Sequence, residues 1–169
     1  MRWMARLEHC PGCGGLFPPS EGPVHPYMSS SPACWAAYGG ILAAEYGDPA
    51  LLHVHRLSVD CYAVQHPGDG SRQAIQSVGL HLARLMLQLE LGLSPERAND
   101  AMLQLAAHKH EMSALPRPQR FAMTVADVAP FACGPRHCDA VEEWARSALD
   151  DWSDAHWTVR SWLAQARLA

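Results

Sequence analysis

Apolar residues recur at helical spacing along most of the chain. Trp35, Tyr38, Ile41, Leu42 and Tyr46 share such a spacing up to Gly47, and Ser31-Pro32 ahead of them supplies an N-cap and a first-turn proline. Asp48-Pro49 opens a second helix carrying Leu51, Leu52, Val54, Leu57, Val59, Tyr62 and Val64, which Pro67-Gly68 ends. A third runs from about Ser71 with Ile75, Val78, Leu82, Leu85, Met86 and Leu89 on one face, and Gly92 lies just past its end. Ser94-Pro95-Glu96 opens a fourth that reaches about Met112, and Thr124-Val-Ala-Asp127 reads as a capping box on a short helix. The last helical stretch holds Val141, Trp144, Leu149, Trp152, Val159, Trp162 and Leu163, with a break near Asp150 to Ser153. β-Branched residues are few and no alternating run persists. The pattern predicts an all-α bundle of five to six helices over residues 33–169.

Residues 1–32 break this pattern. Cys10-Pro-Gly-Cys13-Gly-Gly, Pro18-Pro19, Gly22-Pro23, Pro26 and Ser29-Ser30-Ser31-Pro32 are turn chemistry without helical period. An irregular Gly/Pro-rich arm of this length needs something to tie it to the bundle, and a bound metal is one such tie. The arm and the bundle together are expected to form one domain.

Composition narrows the function. The chain has 169 residues, 49% of them apolar and 18% charged, enough for a core that need not lean on disulfides. The 13 Lys and Arg are scattered and set against 17 Asp and Glu, for a formal net charge of −4, so neither a nucleic-acid stripe nor a polybasic membrane patch is expected. Arg2, Arg6, Glu8 and His9 interrupt the first residues, where a signal peptide would need an apolar core. No apolar run approaches the roughly 18 residues of a membrane span. A cytoplasmic location follows as the expectation, and there thiols stay reduced and short-spaced cysteines read as metal ligands or redox groups.

Six Cys and ten His in one small chain are more than packing requires. Cys10-x2-Cys13 followed by Gly14-Gly15 has the form of a metal knuckle, in which a tight turn aims two thiolates at one ion and glycines let backbone N–H groups approach sulfur. Paired thiolates favour Zn²⁺ over magnesium or calcium. A thiol–disulfide pair is the competing reading, but no strand precedes Cys10 as that motif requires. Cys133-x4-Cys138 has the wrong spacing for a second pair. The remaining ligands come from Cys34 and His25, giving a Cys3His set, or from histidines of the second and third helices.

Those helices carry His53, His55, Asp60, Gln65, His66 and His81. On a helix His53 and His55 diverge by about 200°. His55 and His66 share a face but stand about 16 Å apart along it, too far for one ion. A turn near Pro67 to Asp69 makes the two helices an antiparallel hairpin, in which equal distances from the turn set His55 level with His81. If the arm folds over that level, Cys10, Cys13, His55 and His81 form a mixed site; if it folds over the hairpin end, His66 replaces the two histidines. The expected ligand set is Cys10, Cys13, Cys34, His55 and His81. Asp60, His66 and Gln65 are the candidate acid-base and orienting groups.

Several strings together resemble a bacterial, mainly actinobacterial, family of unknown function. They are Cys10-Pro-Gly-Cys13-Gly, His25-x-Tyr27-Met28 with Ser31-Pro32-x-Cys34-Trp35-Ala36, His55-Arg-Leu-x-Val59-Asp60-x-Tyr62-x-Val64-Gln65-His66-Pro67, Gln76-Ser77-Val78-x-x-His81-Leu82 and Thr124-Val-Ala-Asp127-Val. The resemblance implies that Cys10, Cys13, Cys34, His55, Asp60, His66 and His81 belong to a family pattern, with His53, Cys61, Cys133 and Cys138 outside it. It carries no activity.

Two functions fit these residues. One is a zinc-dependent enzyme in which an open coordination position activates water or polarises a carbonyl on a small-molecule substrate. The other is a structural zinc that staples the arm to the bundle of an interaction or accessory module. No H-E-x-x-H, G-x-S-x-G, Walker loop or G-x-G-x-x-G favours the first, and no C-x-x-C-H supports haem attachment.

Overall fold

The structure, a computed structural model, describes residues 6–168. They fold predominantly into helix, in the order β1 (Glu8–His9), β2 (Leu16–Phe17), α1 (Pro32–Gly47), α2 (His55–Gln65), α3 (Arg72–Leu89), α4 (Pro95–Ala106), α5 (Val125–Val128), α6 (His137–Asp151) and α7 (His156–Gln165). The seventh helix beyond the expected five to six comes from α5, a single four-residue turn, and from the break that separates α6 from α7.

Helix starts follow local chemistry. Ser31, Ser71 and Ser94 each accept a hydrogen bond from the amide three residues on, which satisfies one of the orphan donors of a first turn. At α5 the Thr124 amide donates to Asp127 at 2.8 Å while the Thr124 hydroxyl accepts from the Ala126 amide. Each such cap contributes about 1 kcal/mol.

Two boundaries differ from the sequence pattern. Asp48 caps only a 3-10 turn over Pro49–Leu51, and α2 itself starts at His55. Proline suits a first turn, but Asp48 caps Ala50, two residues on, and the chain closes the tighter turn before it reaches the α-helix. Likewise α4 stops at Ala106, and a 3-10 turn over Lys109–Glu111 completes the stretch toward Met112.

The centre of the molecule is the pair α2 and α3, packed on each other across the loop 66–71. Helix α4 packs on α3, α6 covers α2 and α3, α7 lies on α3, and α1 contacts α2 and α5. Leu82, Leu85, Met86, Trp144, Trp152 and Leu163 are fully buried where these faces meet, each aliphatic side chain contributing roughly 1.5–3 kcal/mol by leaving water. Gln65 is buried in the same region, donating to the Met123 carbonyl at 2.7 Å and accepting from the Trp144 indole at 3.0 Å. No helix of the described residues is long and apolar enough to cross a membrane.

The arm has more order than its composition suggests. β1 and β2 pair antiparallel, with Glu8 opposite Phe17 and His9 opposite Leu16, and the turn between them carries Cys10 and Cys13.

Candidate metal centre

Three segments distant in sequence meet at the end of the α2–α3 pair. The knuckle supplies Cys10 and Cys13, held by a Cys10 amide bond to the Gly15 carbonyl at 2.8 Å and a Gly14 amide bond to the Cys10 carbonyl at 2.9 Å. Gly14 takes a φ of 77°, the left-handed conformation that closes such a turn and that glycine adopts without strain. Cys34 comes from the first turn of α1, where the helix N-terminus favours a thiolate. His66 is the residue at which α2 stops before Pro67.

Gly12 brings these parts into contact. A Cβ at this position would stand 2.1 Å from the Ser29 carbonyl oxygen and 2.3 Å from the His66 ring, so only glycine lets the knuckle settle against the hairpin end. From outside, Arg117 donates to the Gly12 carbonyl at 2.5 Å and to that of Pro11 at 3.3 Å.

The four ligand atoms, three Sγ and one imidazole nitrogen, all lie within 4.8 Å of one another, an arrangement that can hold a metal ion. Cys10 Sγ stands 3.5 Å from His66 Nε2, Cys34 Sγ stands 3.3 Å from the same nitrogen, and Cys13 Sγ is 3.8 Å from Cys34 Sγ. All four residues are buried, none more than 3% exposed.

The surroundings orient each ligand. His66 Nδ1–H donates to the Tyr62 carbonyl at 2.6 Å, which leaves Nε2 bare toward the sulfurs. Its ring stacks on Tyr62 at 3.8 Å, and Tyr62 stacks on Tyr38 at 3.9 Å. Burial pushes the Tyr62 hydroxyl above the ordinary phenol range, and so it remains a donor, 3.7 Å from Cys34 Sγ. The Gly15 amide donates to Cys13 Sγ at 3.4 Å.

Left to themselves the thiols compete for a single charge. Hydrogen bonds from Cys13 and then Cys34 hold Cys10 far below the ordinary thiol range against its burial. Cys13 is pushed up to about 12, chiefly by its bond to Cys10, and Cys34 is driven higher, first by Cys10 and then by Cys13. A divalent cation removes that competition, because it stabilises every thiolate that faces it.

His55 and His81, both in the expected ligand set, stand outside this cluster. The arm folds over the end of the hairpin, where His66 lies, and not over its middle. His55 Nδ1–H donates to the fully buried Glu45 at 2.7 Å, and His81 Nδ1–H donates to the fully buried Asp60 at 2.8 Å. The two histidines serve different carboxylates, His55 one on α1 and His81 one on α2. Asp60 also accepts from Arg84 at 2.7 Å and from Gln88 at 3.0 Å. His25 stays apart, its ring edge-on to Tyr27 and Trp35.

Glu45, Arg84 and Arg117 were not singled out from sequence. Glu45 shares a helical stripe with the buried Tyr38 and Ile41, and a carboxylate on an apolar stripe is the signal that marks it. Arg84 lies within a stretch of α3, residues 82–87, in which every residue is buried.

Fold and site together define a mainly helical protein in which a cysteine knuckle meets a helical hairpin at a Cys3His cluster. Such a cluster does not by itself name a lineage, but the sequence does. The chain belongs to DUF5946, a family of unknown function, whose family model matches residues 8–153. That span includes Cys10, Cys13, Cys34 and His66 and ends before α7. Among curated proteins and among solved structures nothing matches the chain.

Proposed function

We propose that the protein binds one zinc ion through Cys10, Cys13, Cys34 and His66 Nε2, and that this zinc is structural. The observation that carries the reading is the spacing of the ligand atoms. A tetrahedral zinc with bonds of about 2.3 Å to sulfur and 2.0–2.1 Å to nitrogen sets S···S at about 3.8 Å and S···N at about 3.6 Å. The observed 3.8 Å between Cys13 and Cys34, and 3.5 and 3.3 Å from His66 to Cys10 and Cys34, match that figure.

Composition and burial support the structural role. Three thiolates and one imidazole complete four-coordination, and Cys3His is among the closed sets used structurally. The bound ion ties the arm over 6–31, which has little apolar surface of its own, to α1 and to the end of α2. Gln65 and Asp60 act here as positioning groups, since each is fully buried and already engaged with neighbouring side chains or backbone. His66 is a ligand in this reading and carries no acid-base role.

Metal content measured on protein purified without added metal tests this. Wild type, His55→Ala and His81→Ala are expected to hold one zinc per chain, and Cys13→Ser and His66→Ala less than about a tenth of that. Metal-free wild type would contradict the proposal, as would zinc retained in His66→Ala but lost in His55→Ala.

A further inference from the structure

A second polar centre lies at the opposite end of α2, about 16 Å along the helix from His66. Glu45 is fully buried and takes three donors: His55 Nδ1–H at 2.7 Å, His137 Nε2–H at 3.3 Å, and the Ser58 hydroxyl through a short bond. His137 Nδ1 has no partner among the described residues, which agrees with the proton on Nε2. A carboxylate withdrawn from water costs several kcal/mol even when it is paired. Packing alone would be served better by an apolar side chain.

What the carboxylate does is fix His55. With Nδ1 held as the donor, Nε2 is the bare nitrogen, and His55 lines a cleft of about 510 Å³ between the N-terminal ends of α2 and α4. The Tyr46 hydroxyl stands 3.1 Å from Nε2, where a water or a substrate oxygen would sit. Tyr46 is 70% exposed and free to move aside. Asn99 lines the same cleft, and its Oδ1 accepts from Arg84 at 2.9 Å, which turns its amide N–H groups away from Arg84. Arg84 is fixed in turn by Asp60. Two fully buried carboxylates therefore each set one group of the cleft: Glu45 a proton acceptor, Asp60 through Arg84 an amide donor.

We propose that this cleft is a hydrolytic site, independent of the metal centre, in which His55 is the general base and Asn99 the donor to a developing oxyanion. Water attacks an acyl carbon while His55 Nε2 takes its proton. The Asn99 amide donates to the carbonyl oxygen as it gains charge. The tetrahedral intermediate then collapses, the ester C–O bond breaks, and His55 returns the proton to the leaving oxygen, giving an acid and an alcohol. Glu45 is the positioning residue that sets the tautomer and stabilises the imidazolium between these steps. Glu96 and Asp100 outweigh Arg56 on the cleft walls, which selects small esters that carry no negative charge.

The test uses p-nitrophenyl acetate with the protein as purified, its metal content and melting temperature recorded beside the kinetics. Wild type is expected to show saturable hydrolysis. His55→Gln should lower kcat/KM by roughly 100- to 10,000-fold, and Asn99→Ala by about 100-fold, with metal content unchanged. Hydrolysis by wild type no faster than by the same concentration of free imidazole would overturn the proposal. So would a His55→Gln protein as active as wild type. Should that variant fail to fold, Asn99→Ala decides, since it removes one partly exposed amide and an unchanged kcat/KM in it is equally fatal. Failure of this site leaves the zinc proposal intact, because metal content is read separately.

Discussion

With zinc bound as proposed, chelation, or replacing Cys34 with Ser, is expected to lower the melting temperature by about 10 °C and to open the arm over 6–31 to proteolysis. A ligand that binds only the folded state at a thousand times its Kd stabilises by about 4 kcal/mol. For a chain of this size each kcal/mol corresponds to roughly 2–4 °C. The loss falls unevenly. Leu82, Leu85, Trp144 and Leu163 are buried where α6 and α7 pack on α3, so most helical circular dichroism should survive. The arm should not, because beyond Phe17 and Met28 few of its side chains enter the core, and its ends are drawn to the bundle at Gly12 and the ligands. Cleavage between Pro18 and Pro26 in the chelated protein and not in the native one is the expected pattern. An unchanged melt and an unchanged digest would separate the arm's order from the metal.

Asp60→Ala is expected to cost about 3–5 kcal/mol in urea denaturation, among the largest effects of any single substitution outside the metal centre. The loss of one carboxylate is the lesser part. Arg84 is 2% exposed, and without Asp60 its guanidinium keeps only Asn99 as a partner among the described residues, a buried charge withdrawn from water. His81 and Gln88 lose their acceptor at the same time. The double variant Asp60→Leu, Arg84→Met removes both charges and should recover a large share of the stability. A double variant no more stable than Asp60→Ala would mean that the cost comes from shape and not from the stranded charge.

How much of this was legible in the sequence depends on the range of the interaction. Ser31-Pro32, Thr124 to Asp127 and Pro67-Gly68 announce their turns and caps because the chemistry closes within four residues. The Cys10–Cys13 knuckle is legible for the same reason, and Cys34 follows as the nearest further thiol. The fourth ligand depends on which level of the hairpin the arm folds over, and no local pattern states that level. His55, His66 and His81 are each plausible until the contact of Gly12 with Ser29 and His66 is seen. Glu45 and Arg84 escape notice because an isolated charge in a helical segment is ordinarily solvated. Only their phase relative to the apolar stripe, read together with a partner on another helix, marks them as buried.

X-ray absorption at the zinc edge of the protein as purified tests the Cys3His centre most directly. Three sulfur scatterers at about 2.3 Å and one nitrogen at 2.0–2.1 Å, with no further oxygen, are expected. Fewer sulfurs, a second imidazole or a bound water would contradict a closed site built from Cys10, Cys13, Cys34 and His66.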